Sequence, residues 1–224
     1  MSLKRAGLAI LCFAVAFALL KLWPRTSSRP MVSVIFAFVL AVAVVSLAAL
    51  GKTFMQRSDR AERGADAEVR VEHLLQALPA AYYTLHDLTF DGFNIDHIVI
   101  GPTGIFTVET KSHRGKITAR GEDLLLNGRP FEKPVLKQAW SQAFTLRDLL
   151  KRDGKKPFPV RPILCFPNAF VQVRQPVRGV IVTSRDYLRQ AILRQQGAPL
   201  TEQRIQEWVC ALKENGGSLD RRRM

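Results

Sequence analysis

The sequence predicts an α/β domain, a mixed β-sheet flanked by helices, preceded by an N-terminal transmembrane helical hairpin. Three observations carry that prediction. The first fifty of the 224 residues contain no Asp or Glu and two long apolar runs. An amphipathic helical stripe follows, and after it a succession of short strand-like runs punctuated by Gly, Asn and Pro, interrupted and then closed by further helical patterns.

The second apolar run, Met31 to Leu50, is an uncharged stretch of 20 residues, the length a helix needs to cross a hydrocarbon layer of about 30 Å. The first, Ala6 to Leu20, is extended by Lys21, whose stem can snorkel, and by Leu22 and Trp23, so that spans of about 6–23 and 31–50 are expected. A signal peptide is the rival reading, since Lys4 and Arg5 precede the run. No small-residue cleavage site follows Leu20, however, and a full span comes soon after. Two spans put both termini on one side. Basic residues before the first span and after the second, Lys52, Arg57, Arg60 and Arg63, place that side in the cytoplasm, on the inner membrane.

Residues 51–58 read as a basic juxtamembrane linker, 59–215 as the folded domain and 216–224 as a basic tail. Five of the 33 basic residues lie before Gly51, which leaves 28 against all 19 acids and a net charge of +9 for the remainder. Such a surface attracts polyanions, and both nucleic acid and anionic lipid qualify. The three cysteines, Cys12, Cys165 and Cys210, are too widely spaced for a disulfide framework or a Cys-x-x-Cys metal pair.

Within the domain, Ala67, Val71, Leu74, Leu75 and Leu78 recur on one stripe of a helix over 59–78, stopped by Pro79. Strands are expected at 81–85, 95–100, 105–110, 116–118 and 124–126, then a helix over 134–152 that Pro134 opens. Two further buried strands, 160–166 and 178–183, and two helices, 184–194 and 201–213, complete the order.

The segment 94–111 contains the chemistry. Its apolar residues form two strands around the turn Gly101-Pro102-Thr103-Gly104. If Ile100 pairs with Ile105, partner numbers sum to 205 and Asp96 faces Glu109, two like charges about 5 Å apart. Lys111, two residues past Glu109, shares that face. Two readings fit this cluster. In one, Lys111 neutralises the acids as a structural ion pair. In the other, the carboxylates hold a hard divalent cation through oxygen, and Lys111 stabilises charge beside it. Glu68, on the border of the helical stripe, can reach the polar end of the sheet. His97 points to the opposite face from Asp96 and reads as a buried structural histidine. Gly51-Lys52-Thr53 echoes the end of a P-loop but lacks the upstream glycine.

Gly64-Ala65-Asp66-Ala67-Glu68, then Asn94-Ile95-Asp96-His97, then Val108-Glu109-Thr110-Lys111-Ser112 together resemble the nuclease-related domain family, within the restriction-endonuclease-like superfamily. The resemblance covers about residues 59–170. It implies a restriction-endonuclease-like mixed sheet, Asp96 and Glu109 as ligands of a divalent metal such as Mg²⁺, Lys111 as catalytic lysine and Glu68 as an accessory acid. It further implies hydrolysis of phosphodiester bonds in DNA or RNA. The bilayer is a second expected partner, through the N-terminal helices that the two apolar runs predict. Ala67 stands where the family often has Gly, and Lys133-Pro134 with Gln138 only approximates its Asn-Pro-x-x-Gln segment. Gln138 therefore reads either as an active-site residue or as ordinary helix surface. Trp140, Arg114, Lys116, Lys137, Lys151, Arg152, Lys155 and Lys156 are candidates for a backbone-binding surface. A non-catalytic binding module that retains the fold is the alternative.

Overall fold

The computed structural model describes residues 30–90, 93–151, 158–196 and 199–215. The expected first span at 6–23, the tail 216–224 and the basic positions Arg152, Lys155 and Lys156 lie outside them, as do half of the side chains of 31–50. Among the described residues no helix is long and apolar enough to cross a membrane.

Helix α1 is assigned over Pro30–Gln76. Residues 51–58, expected as a linker, are helical, and neither Gly51 nor Gly64 interrupts the assignment. A lone Gly costs about 1 kcal/mol in a helix interior, too little to break one with good formers on either side. Two units divide the chain, Met1–Glu62 and Arg63–Met224. The site lies in the second.

There, strands β1 (Tyr83–Phe90), β2 (Phe93–Gly101), β3 (Gly104–Thr110), β7 (Val160–Phe166) and β9 (Ile181–Ser184) form one sheet in the order β1-β2-β3-β7-β9. The first three pair antiparallel, while β3, β7 and β9 run parallel. A parallel return needs a crossover. Between β3 and β7 it contains β4 (Gly115–Arg120), β5 (Asp123–Leu126), β6 (Arg129–Pro130) and helix α2 (Val135–Leu149). Helices α3 (Arg185–Leu193) and α4 (Glu202–Asn215) are the last elements among the described residues.

Each face of the sheet is covered. Val71 and Leu75 of α1 and Leu188 and Ile192 of α3 pack on Val99, Phe106 and Val108. On the other face Ala143 and Leu146 of α2, with Ile205, Trp208, Val209 and Leu212 of α4, pack on Ile98, Ile100 and Ile105. Because successive strand residues point to opposite faces, these two sets alternate along β2 and β3. Period-2 spacing fails in two places: Leu85 and Leu88, and Ile95 and Ile98, sit three apart yet share one cluster. The ladder between β1 and β2 skips Asp87, whose φ is 51°, a left-handed conformation that turns the strand over. That kink is why the helix-like spacing of residues 85–90 hid the second half of β1, which was expected to stop at Leu85.

The predicted mixed sheet is accompanied by a second one. Strands β6-β5-β4-β8, with β8 at Ala169–Val171, form a four-stranded sheet of their own. β6 and β8 are two and three residues long, too short to show any period. β4 leaves the end of β3 and β8 the end of β7, and the two pair in parallel again. Ile117 and Leu124 of this sheet pack with Val135 and Ala139 of α2 and with Leu164 and Phe166.

Candidate active site

The pairing of β2 with β3 follows the register whose partner numbers sum to 205, from Gly101 with Gly104 to His97 with Val108. The next rung would be Asp96 with Glu109, and there the ladder ends. The Lys111 amide bonds the Cys165 carbonyl of β7 at 2.9 Å, so the Thr110 amide, one residue earlier, points toward β2. It meets a side chain: Thr110 N–H donates to Asp96 Oδ2 at 2.8 Å. A carboxylate thus takes the place of a strand carbonyl where β2 and β3 separate.

Glu109 is 2% exposed and is held from three directions. Lys111 Nζ and Gln138 Nε2 both donate to Oε1, the latter at 2.7 Å. Gln142 Nε2 donates to Oε2 and also to the Asn94 carbonyl, the latter at 3.3 Å. Lys111 donates once more, to Gln138 Oε1 at 2.9 Å. Lys111, Glu109 and Gln138 therefore close a ring in which each member touches the other two. Gln138 and Gln142 are one helical turn apart on α2, which brings both amides over the end of β3.

The electrostatics follow from crowding acids around one ammonium. Burial pushes the Asp96 carboxyl up to about 7, and the Glu109 charge adds to the effect; the Thr110 hydrogen bond and Lys111 oppose it. Glu68, an exposed residue on α1, has its carboxyl raised by partial burial first, then by the charges of Asp87 and Glu109, against Lys111. Asp96, Glu109 and Lys111 are thus in one cluster, and Glu68 is within electrostatic reach of it from the helix that covers the other face.

Three participants escaped the sequence reading. Asp87 acts on Glu68 and accepts from Asn94 Nδ2 at 3.2 Å; only its left-handed φ puts it there. Gln142, 1% exposed, is a polar residue in the otherwise apolar stripe of Val135, Ala139, Ala143 and Leu146. That anomaly was visible in the sequence. The backbone of Asn94, which anchors Gln142, left no sequence signal. Gln138, read two ways, is in the ring.

Among the described residues no group of three or more His, Cys, Asp or Glu could hold a metal ion. Two carboxylates are at hand, Asp96 with Oδ1 and Glu109 with a remaining lone pair on Oε2. Mg²⁺ commonly keeps several waters and binds through one or two carboxylates, so the donor set fits it. His97, 3% exposed, pairs its Nδ1 with Nδ1 of His86 at 2.9 Å. Burial, then the His86 charge, drives it down to about 3. Cys165 is buried, its thiol pushed up to about 12, which makes it an inert core residue.

Residues 63–167 match the family model of the nuclease-related domain. The chain carries a nuclease-related domain. That domain begins within α1 just before Glu68 and ends at the close of β7, and so contains every residue of the ring. An uncharacterized protein of Bacillus anthracis is 36% identical over 89 residues, which are 37% of this chain and 40% of the relative. The chain thus spans less than half the length of that relative. No solved structure matches the chain.

Proposed function

We propose that this protein is a membrane-anchored, divalent-metal-dependent nuclease, its nuclease-related domain a restriction-endonuclease-like core held at the cytoplasmic face of the inner membrane by helices at about 6–23 and 31–50. The observation that carries the reading is Glu109, a buried carboxylate whose ring with Lys111 and Gln138 faces Asp96 at the open end of the sheet. The sequence supports the anchor through its acid-free, apolar first fifty residues.

In this reading Asp96 and Glu109 would hold Mg²⁺, which when bound supplies Lewis-acid polarisation of a phosphate and a more acidic water. Gln142 fixes Glu109 by one bond to Oε2, which leaves a second lone pair on that oxygen for the ion. Lys111, positioned by Glu109 and Gln138, donates toward the negative charge that builds on the phosphate oxygens as water adds to phosphorus. The ester P–O bond to the leaving oxygen then breaks, and that oxygen takes a proton. Glu68, its carboxyl raised, serves as proton carrier, taking the proton that the attacking water gives up and returning one to the leaving oxygen. The basic domain supplies phosphate contacts that carry little sequence information.

A second reading has a specific observation behind it. Both lone pairs of Glu109 Oε1 and one of Oε2 are taken by Lys111, Gln138 and Gln142, as in a closed structural network, which fits a nucleic-acid- or partner-binding module without turnover. Full-length protein, supplied with linear and circular DNA and RNA in Mg²⁺, Mn²⁺ or chelator, separates the two. Metal-dependent cleavage abolished in Asp96→Asn and Lys111→Ala supports the nuclease; salt-sensitive binding without cleavage by folded wild type supports the module.

A further inference from the structure

We infer that the outward face of the second sheet, centred on Phe170, is a stacking platform for single-stranded nucleic acid leading into the carboxylate cluster. The inference rests on the nucleic-acid reading above and narrows it to a substrate class.

Phe170 is 64% exposed, in the middle of β8. Strand alternation explains its direction: in the parallel pair of β4 and β8, Ile117 opposes Val171 and turns into the core, so Lys116 and its partner Phe170 turn outward together. Adjacent strands are about 4.8 Å apart, which makes Lys116 and Phe170 neighbours on that face. Thr118 and Arg120 continue the same face along β4, with Asp123 opposite Arg120 at the far hairpin end. Arg70 joins from α1, where Nη1 bonds Asn168 Oδ1 at 2.7 Å, in the turn just before β8. An exposed aromatic ring thus has Lys116 beside it, Arg70 at the turn before its strand and Arg120 further along the same face.

The location is what gives the patch a purpose. β4 and β8 are the continuations of β3 and β7, and the rung Thr110 with Cys165 is followed, after short breaks, by Gly115 with Ala169 and Lys116 with Phe170. Lys116 is five residues beyond Lys111, no more than about 18 Å along the chain. A few nucleotides of extended strand cover that distance. Cations along a backbone path with an aromatic ring for a base to stack on are the components of single-strand recognition. A paired duplex keeps its bases stacked on one another and offers this ring no free π-face, so the platform selects unpaired strands or ends.

The test is fluorescence anisotropy with full-length protein and a labelled 20-nucleotide oligomer, single-stranded or duplex, in chelator so that nothing is cleaved. Wild type, Phe170→Ala and Phe170→Trp are compared, with sedimentation velocity on each. Single-strand affinity should fall about tenfold in Phe170→Ala, stay near wild type in Phe170→Trp, and change less than twofold for duplex. Equal single-strand affinity in wild type and Phe170→Ala overturns the platform and leaves the nuclease reading standing. A change in self-association with unaltered nucleic-acid affinity also overturns it, by assigning the face to a second copy. Binding sensitive to Phe170 without cleavage in Mg²⁺ or Mn²⁺ keeps the platform and removes the nuclease.

Discussion

The Thr110 amide and the Asp96 carboxylate are joined at 2.8 Å at the point where the β2–β3 ladder stops. A hydrogen bond from a backbone amide to a charged acceptor contributes about 1.5–3 kcal/mol, so one bond both closes the end of the sheet and holds Asp96 within electrostatic reach of Glu109. Asp96 therefore cannot be replaced without altering the strand ends as well as the chemistry.

That coupling predicts a pH dependence. The folded Asp96 carboxyl titrates at about 7, above its ordinary value near 3.8. A raised carboxyl binds its proton more tightly folded than unfolded, so the protonated form favours folding. Its contribution is fully present below about pH 4 and is lost as pH climbs through about 7. In chelator, urea unfolding should show stability declining across that window. Asp96→Asn should flatten the decline, and Mg²⁺ should restore stability at pH 8 in wild type only.

Glu109→Ala should destabilise the domain by about 3 kcal/mol, because it leaves Lys111 without its carboxylate, the Gln138 amide without its acceptor and Gln142 with the Asn94 carbonyl alone. Glu109→Gln keeps the shape and should cost less, while cleavage falls to background in both. Denaturant midpoints together with cleavage rates distinguish the fold from the chemistry.

Gln142 has a split outcome. Its Oε1 is buried without a partner among the described residues, so Gln142→Leu removes an orphan acceptor along with the bond to Glu109. Stability should change by no more than about 1 kcal/mol. Turnover should drop about 10- to 100-fold, as when the partner that orients a ligand is lost. Similar losses in stability and turnover would argue that Gln142 is only packing.

At Asp87 the backbone is the variable. With φ at 51°, Asp87→Gly should leave stability nearly unchanged. Asp87→Val should cost about 1–3 kcal/mol through strain in the left-handed region. Thermal unfolding of the pair tests whether the kink is needed to orient Asp96 across from it.

How legible all this was depended on whether the signal was periodic. The hairpin register came directly from the two apolar runs and their four-residue turn, and with it the gathering of Asp96, Glu109 and Lys111 at one end of the hairpin. β7, at Val160–Phe166, matches its apolar run residue for residue. What could not be read was made by single residues acting on backbone or by contacts remote in sequence. Asp87 reverses a strand face with one dihedral angle, β6 and β8 are too short for any pattern, and Gln138 acquires meaning only when α2 crosses over β3. Gln142 was the exception: a glutamine among alanines and leucines on a buried stripe is a local contradiction, and such contradictions fall at sites of function.

Since β3 runs on into β4 and β7 into β8, two side-by-side connections, 111–114 and 167–168, join one sheet to the other. Lys111 and Asn168 stand on that seam. Any rocking of one sheet against the other pivots there, where displacement is smallest, while Phe170 on the outer lever arm travels further. A contact made at Phe170 is thus the more compliant one, and Lys111 keeps its place beside Glu109.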